Sequence, residues 1–186
     1  MSLPVALKPL WCALTHNTQP GLKWLATAAL AVGLAGCANI ANTPPGTPAS
    51  QVVQQFGAPT VQCPTANGGT RMLWSGQPFR QVAWAIDVDA SGKTGPVQPV
   101  LTDKHFQILR EGVWTPERLL CEFGPPAEKS AVGLPSVRQI VWSYRYMQDG
   151  VWYSLMHVYL GRDGERVTRF HPGPDPMYER DRFMFD

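Results

Sequence analysis

Three hydrophobic patterns divide the chain into regions with different predicted structures. Residues 24–35 form an almost unbroken apolar run, and no acidic residue occurs before Cys37. Further along, two short segments carry apolar residues at the spacing i, i+1, i+4, which places them on one face of a helix. Residues 82–88 and 155–160 instead alternate between the two faces of a strand. We therefore expect a targeting segment followed by an α+β fold.

The apolar run has the features of a secretory signal peptide: a basic start, an apolar stretch and small residues before a cleavage position. It is shorter than the ~20 apolar residues that a membrane-spanning helix needs. Its end, Leu-Ala-Gly-Cys at positions 34–37, resembles the lipobox of bacterial lipoproteins. The resemblance implies that residues 1–36 are removed and that Cys37 carries lipid at the new N-terminus. An ordinary signal peptide, or a tail anchor with an unrelated cysteine, is the alternative.

The residue after Cys37 bears on the predicted location. By enterobacterial sorting rules an aspartate there favours the inner membrane, and this chain has Ala38 instead. The resemblance thus implies an outer-membrane protein that faces the periplasm and is anchored in the membrane through lipid on Cys37. Residues 37–46 are rich in Asn, Thr and Pro and have little to bury, so we interpret them as a tether between lipid and fold.

The two predicted helices share the same start and stop signals. One follows Thr47 and the other Thr115, as predicted N-caps, each with proline at the favourable first helical position. Each apolar triad ends in phenylalanine and is closed by Gly-x-Pro, and the two copies lie 67 residues apart. Strand segments recur at a similar distance, since Arg71–Ser75 matches Gln139–Ser143 at 68 residues. These matches predict two copies of one structural unit.

The predicted unit consists of a helix, its Gly-x-Pro exit, two strands, a turn and a further strand. The first copy covers residues 47–100 and the second covers residues 101–174, where an additional short helix over residues 104–109 precedes the main one. Residues 175–186 form a charged and aromatic tail. The predicted fold class is α+β: two tandem repeats of short helices packed on one face of an antiparallel β-sheet.

Strand parity assigns the side chains to two faces. The predicted shared core, under the helices, consists of Phe56, Trp74, Trp84, Leu120, Phe123, Trp142 and Val158. The opposite face of the second copy carries Arg145, Tyr153, His157 and Tyr159. Tyrosine and arginine are enriched at protein interfaces, so these four residues are candidate partner-binding residues. Alternatively, the tail or the other copy covers them, or they are simply solvated.

The second unit resembles a known family. It contains Leu-Leu-x-x-Phe-Gly-x-Pro from Leu119, Trp-Ser-Tyr from Trp142 and Val-Tyr-Leu-x-x-Asp-Gly from Val158. This pattern resembles the SmpA/OmlA (BamE-like) lipoprotein domain, and two such units in tandem are similar to the β-lactamase-inhibitor-protein architecture. The family implies an accessory component of the β-barrel assembly machinery that binds partner lipoproteins. That component has one unit, and its contact residues have no clear match in this chain.

Charge and cysteine content narrow the candidate chemistry. All 14 acidic residues follow Cys37 and balance the basic residues there, so nothing indicates a nucleic-acid partner. In an oxidising compartment Cys63 and Cys121 could form a disulfide, although free thiols or half of a metal site are alternatives. His157 with His171 or Asp175 lacks ligand-like spacing, so no metal or cofactor is predicted.

The chain shows no spacing typical of a catalytic nucleophile or a phosphate-binding loop. The sequence therefore favours a non-catalytic, periplasm-facing scaffold that binds other envelope proteins, including β-barrel assembly components. The alternative is an inhibitor or binder of a periplasmic or secreted enzyme. A hydrolase whose site escapes motif analysis is a third hypothesis, which requires a pocket with perturbed ionisable groups.

Overall fold

The computed structural model describes residues 38–179, and these form an α+β fold with two four-stranded antiparallel sheets. The first sheet contains β1 (Val61–Pro64), β2 (Thr70–Ser75), β3 (Ala83–Val88) and β4 (Thr94–Pro99), in that spatial order. The second contains β5 (Glu128–Val132), β6 (Gln139–Gln148), β7 (Trp152–Tyr159) and β8 (Arg169–Pro174), again in order. Within each sheet, every strand therefore pairs with its neighbour along the chain.

Short helices precede and follow the sheets. The α-helices are α1 (Ala49–Phe56), α2 (Asp103–Phe106), α3 (Pro116–Phe123) and α4 (Pro176–Glu179). Short 3-10 helices cover Ile40–Asn42, Gln107–Arg110 and Pro135–Val137. Within residues 38–179, none of the helices has the length and apolar content that crossing a membrane requires.

The predicted N-cap is confirmed for α3 and is wrong for α1. Thr115 caps α3 as predicted, because its side chain accepts a hydrogen bond from the backbone N–H of Arg118. The predicted cap Thr47 is wrong, since its hydroxyl donates to the Pro44 carbonyl instead and α1 has no side-chain cap. Gly57 and Gly124 end the two helices at φ values of 81° and 80°, in the region that favours glycine.

Helix α1 covers the outer face of the first sheet and forms a small hydrophobic cluster with it. Val52 packs there with Ile86 of β3 and with Ile40, while Phe56, Trp74, Trp84 and Val97 lie around them, partly buried. Ile40 belongs to the segment that we interpreted as a tether. The tether prediction is wrong at Ile40, because this residue, the one large apolar side chain of that polar segment, packs against Val52 of α1 and Ile86 of β3.

The other face of the first sheet joins a larger cluster. Leu73 and Ala85 pack there with α2, α3 and the 3-10 helix after α2. The second sheet contributes large aromatic and apolar side chains to the same cluster: Trp142, Tyr144, Tyr146, Met156 and Val158. The predicted single core is thus divided, since Phe56, Trp74 and Trp84 lie in the small cluster and Phe123, Trp142 and Val158 in the large one. Leu120 is only partly buried against the large cluster.

Helix α3 is also fastened to the first sheet by covalent and ionic contacts. Cys121 forms a disulfide with Cys63 of β1, with Cα atoms 5.7 Å apart. The neighbouring Glu122 carboxylate lies 2.6 Å from Nη2 of Arg71 on β2 and 2.6 Å from Nε2 of His105 on α2. One side of α3 is therefore bound to the first sheet while its apolar side enters the large cluster.

Candidate partner-binding surface

The four candidate residues lie on one face of the second sheet but differ in exposure. Strand pairing places Arg145 beside Leu155, and places Ser143 beside His157 on the same face. Tyr153 is 47 % exposed, whereas Arg145 is 4 % exposed and Tyr159 is 9 % exposed. The interpretation of Arg145 and Tyr159 as exposed contact residues is therefore wrong. Only Tyr153 is freely accessible, and His157 is half-buried.

Arg145 is buried because three segments meet at its guanidinium group. Its Nη2 donates to Glu128 of β5 at 2.6 Å, and its Nη1 donates to the carbonyl of Pro78 at 3.0 Å. Its Nε lies 2.9 Å from Oδ2 of the fully buried Asp175, an ion pair without hydrogen-bond alignment. Arg145 thus holds the β2–β3 loop and the segment before α4 against the second sheet.

Gln77 completes the attachment of the β2–β3 loop. Strand β5 pairs with only the first half of β6, which leaves the rest of that edge uncovered by a strand. The Gln77 side chain donates to the backbone carbonyl of Arg145 at 2.7 Å and accepts from its N–H at 3.2 Å. One amide side chain therefore occupies the position that a neighbouring strand would take.

Tyr153 is packed against a residue that the sequence pattern did not single out. Its ring stacks on Tyr178 of α4 with 4.0 Å between centroids, and its carbonyl accepts from the Asp175 N–H. Gln81 of the β2–β3 loop donates to the Tyr178 hydroxyl at 2.6 Å. Tyr178 lies in the segment predicted to be a charged tail (residues 175–186), and no periodic pattern in that short segment signals its packing.

These contacts bring several exposed apolar side chains to one end of the molecule. We call this the end surface, and define it as Phe79, Val151, Trp152, Tyr153, Met177 and Tyr178. Phe79 is 74 % exposed, Trp152 is 54 % exposed and Met177 is 46 % exposed. A cleft of about 570 Å³ lies between the tip of the β6–β7 hairpin, β8 and α4. Groups of exposed apolar side chains are typical of binding surfaces.

His157 and Tyr159 lie further along the same face, in a polar row across the sheet. Pairing places Glu128, Ser143, His157 and His171 side by side on the four strands. Ser143 Oγ lies 2.9 Å from His157 Nδ1. Burial, and secondly the neighbouring His171, lower the pKa of His157. Ser143 is only 3 % exposed, so its hydroxyl is buried beside His157.

His171 is fixed by hydrogen bonds at both ring nitrogens. The Pro172 carbonyl can only accept, so His171 Nδ1 donates to it, and Nε2 lies 3.0 Å from the Tyr159 hydroxyl. Arg169 lies over the Tyr159 ring at 3.6 Å. Within residues 38–179 no three His, Cys, Asp or Glu side chains come together as metal ligands would.

Comparisons with known proteins do not extend this picture. A scan against protein-family models and searches of curated proteins and of solved structures gave no significant match. The function must therefore be argued from the residues themselves. Cys37, the predicted lipid attachment site, lies outside the described residues.

Proposed function

We propose that this chain is a non-catalytic lipoprotein of the outer membrane, facing the periplasm, whose folded part binds another envelope protein through the end surface. The binding serves β-barrel outer-membrane protein assembly or envelope integrity. The main support for the binding role is the group of exposed side chains Phe79, Trp152, Tyr153 and Met177. These residues come from separate segments, and the buried Arg145 holds two of those segments in place through Pro78 and Asp175.

Pre-organisation of the β2–β3 loop and of Tyr153 favours binding at the end surface. Binding loses affinity when loops and side chains must become ordered on contact. Here Arg145 and Gln77 fix the β2–β3 loop before any partner arrives, and the stack with Tyr178 fixes the ring of Tyr153. Aromatic side chains offer large contact area at low entropic cost, which suits them to anchor positions in an interface.

The membrane anchor is supported by the sequence. The basic start, the apolar run and the tetrapeptide at 34–37 agree on a lipid-modified cysteine. A protein with two or more acyl chains remains in the membrane, whereas a single chain binds only marginally. We expect palmitate label on the wild-type chain and none on Cys37→Ser. Retained label in that variant would exclude the anchor.

We also propose that the two helix-plus-sheet halves arose from one duplicated unit of the SmpA/OmlA (BamE-like) type. Supporting this, each half has an eight-residue helix closed by glycine and followed by four antiparallel strands. A tandem arrangement of this kind keeps the alternative open that the chain inhibits or binds a periplasmic or secreted enzyme. An enzyme that copurifies with the protein in a fixed ratio would favour this alternative.

Site-specific cross-linking tests the binding surface directly. A photoreactive phenylalanine analogue at position 152 or 153 should capture one defined envelope protein in living cells. The matched control is the same analogue at Leu134, which is 73 % exposed in the β5–β6 loop, away from the end surface. Capture from Leu134 alone, or no capture from either end-surface position, would contradict the proposal.

Alanine substitutions separate binding from folding. Tyr153→Ala should leave the chain folded and weaken partner capture by about 2 kcal/mol, as hot-spot tyrosines do. Tyr159→Ala should instead lower stability, because that side chain is buried against His171 and Arg169. Thermal melting and quantified capture distinguish the two effects, and equal behaviour of the variants would mean that Tyr153 is not a contact residue.

A further inference from the structure

The cleft in the end surface has a distinctive chemical lining. Its apolar walls are aromatic and proline side chains: Trp152, Tyr153, Pro172, Pro174 and Tyr178. Among the described residues that line it there is no Lys, Arg or His. A cleft with rigid flat walls and few flexible side chains can accept an extended segment at low entropic cost.

The charged side chains among the described residues that line the cleft are acidic. Two acidic residues line it, Asp175 and Glu179. Asp175 is buried and paired with Arg145 beneath the cleft. Glu179 is exposed and forms no ion pair with the residues that the structure describes. Among the described residues that line the cleft, the carboxylate of Glu179 is therefore the exposed charge.

Aromatic faces and a carboxylate select the same kind of ligand. The face of an aromatic ring carries negative potential and attracts a guanidinium or ammonium group. A carboxylate beside such rings adds a second attraction, which strengthens where water is displaced. Proline-lined aromatic grooves favour extended segments, because these have no internal hydrogen bonds to break.

We propose that the cleft binds an extended, arginine- or lysine-bearing segment of the partner protein, with the cation against the aromatic wall near Glu179. This inference rests on the proposed function, because it names the chemistry of the partner at that surface. Charge complementarity carries it: the lining offers the exposed ring of Tyr153 and the exposed carboxylate of Glu179, and no Lys, Arg or His is among the described residues that line the cleft.

Peptide binding tests the charge requirement. The probe is a fluorescent, acetylated and amidated Pro-Arg-Pro-Pro-Arg-Pro peptide, titrated against the purified full-length chain in mild detergent. The control peptide replaces both arginines by citrulline, which keeps the shape and removes the charge. We expect the arginine peptide to bind about tenfold more tightly, since a desolvated cation–aromatic contact has that magnitude. This difference should shrink at high salt.

Two variants of the protein locate the binding. Tyr153→Leu removes an aromatic face and Glu179→Gln removes the carboxylate, and each should lower affinity for the arginine peptide towards that of the citrulline peptide. Leu134→Ser is the matched control, because it changes another exposed apolar residue and should leave affinity unchanged. Circular dichroism confirms that each variant is folded, and Glu179→Gln, at an exposed position, keeps the test valid if Tyr153→Leu unfolds.

The outcomes separate this inference from the proposed function. Equal affinity for the two peptides, or full affinity in Glu179→Gln and Tyr153→Leu, would overturn the cation site. If cross-linking from positions 152 and 153 still captures a partner in that case, the binding function stands and its recognition chemistry differs. If the peptide binds only when Arg180 and Arg182 are changed to glutamine, the occupant is the chain's own C-terminal segment, and the partner-segment proposal is overturned.

Discussion

Helices α1 and α3 resemble each other in sequence and differ in surroundings. Each has eight residues and ends at a glycine with positive φ. In α1 only Val52 is fully buried, whereas α3 buries Leu119 and Phe123. Helix α1 contacts one sheet face, while α3 contacts the first sheet through Cys121 and Glu122 and the large cluster through its apolar side.

This difference shows what an amphipathic pattern leaves open. The apolar stripe of a helix identifies the face that is buried against a neighbour, and both stripes are indeed turned inward. The pattern does not say whether a second neighbour covers the polar side. In α3 the second neighbour is the first sheet, which is attached through the disulfide of Cys121 and the carboxylate of Glu122. An apolar pattern shows neither a disulfide nor an ion pair. Stability should accordingly depend much more on α3 than on α1.

Truncating one phenylalanine in each helix tests this comparison with the largest expected effect. Phe123 is fully buried and its ring stacks on Phe106 at 5.0 Å, so Phe123→Ala should cost about 3–5 kcal/mol. The equivalent Phe56→Ala should cost only about 1–2 kcal/mol, because Phe56 is partly exposed at the edge of the small cluster. Urea unfolding of both variants gives the two values, and equal losses would refute the asymmetry.

Removal of the disulfide tests the covalent part of the same attachment. The bond joins residues 58 positions apart, and closing a loop of that length stabilises a fold by about 2–4 kcal/mol. The double variant with Cys63→Ser and Cys121→Ser should lose this amount of free energy of unfolding. The Arg71–Glu122 contact still holds β2 to α3 in that variant. Chemical denaturation measures the loss. Two titratable thiols in the unreduced wild-type protein would show that the bond does not form.

Substitution of Arg145 tests a second contrast, between the covered and uncovered parts of one face of the second sheet. Arg145→Ala would leave the buried Asp175 carboxylate without its cation and remove the bond to the Pro78 carbonyl of the β2–β3 loop, at a cost of about 2–3 kcal/mol. The matched change Tyr153→Ala, at an exposed position on that face, should cost under about 1 kcal/mol. Equal stability of Arg145→Ala and the wild type would mean that the guanidinium group does not organise the end surface.

The sequence predicted the features that follow simple periods. Alternation grouped Trp142 and Val158 on one face, and both lie in the large cluster. The α+β class with antiparallel sheets is confirmed. The sequence analysis did not predict strands β1 and β5, because neither has a fully buried face. The four residues of β1 alternate between half-buried and exposed positions, and β5 is exposed throughout.

The candidate site was harder to predict than the fold. A period of two correctly places Arg145 and Tyr153 on one face but says nothing about which segments return to cover it. Arginine is seldom fully buried, so the residue type predicted an exposed side chain at position 145. Its burial depends on Asp175, a residue 30 positions later in a segment without periodicity. Such pairings come from tertiary contacts, which no local pattern encodes.

The smallest predicted effect concerns the uncovered part of the face, where His157 lies among Ser143, His171 and Glu128. Burial and His171 lower the pKa of His157, although Glu128 acts in the opposite direction. The unfolded chain then binds this proton more readily than the folded chain, so stability present above about pH 6.5 is lost as the pH falls through the folded pKa. His157→Gln keeps a hydrogen-bonding group for Ser143 and removes the titration. Urea unfolding at pH 7.5 and 5.5 measures how much of the free energy of unfolding is lost on acidification. This loss should be smaller in the variant than in the wild type. An equal or larger loss in the variant would mean that the environment of His157 does not oppose its protonation.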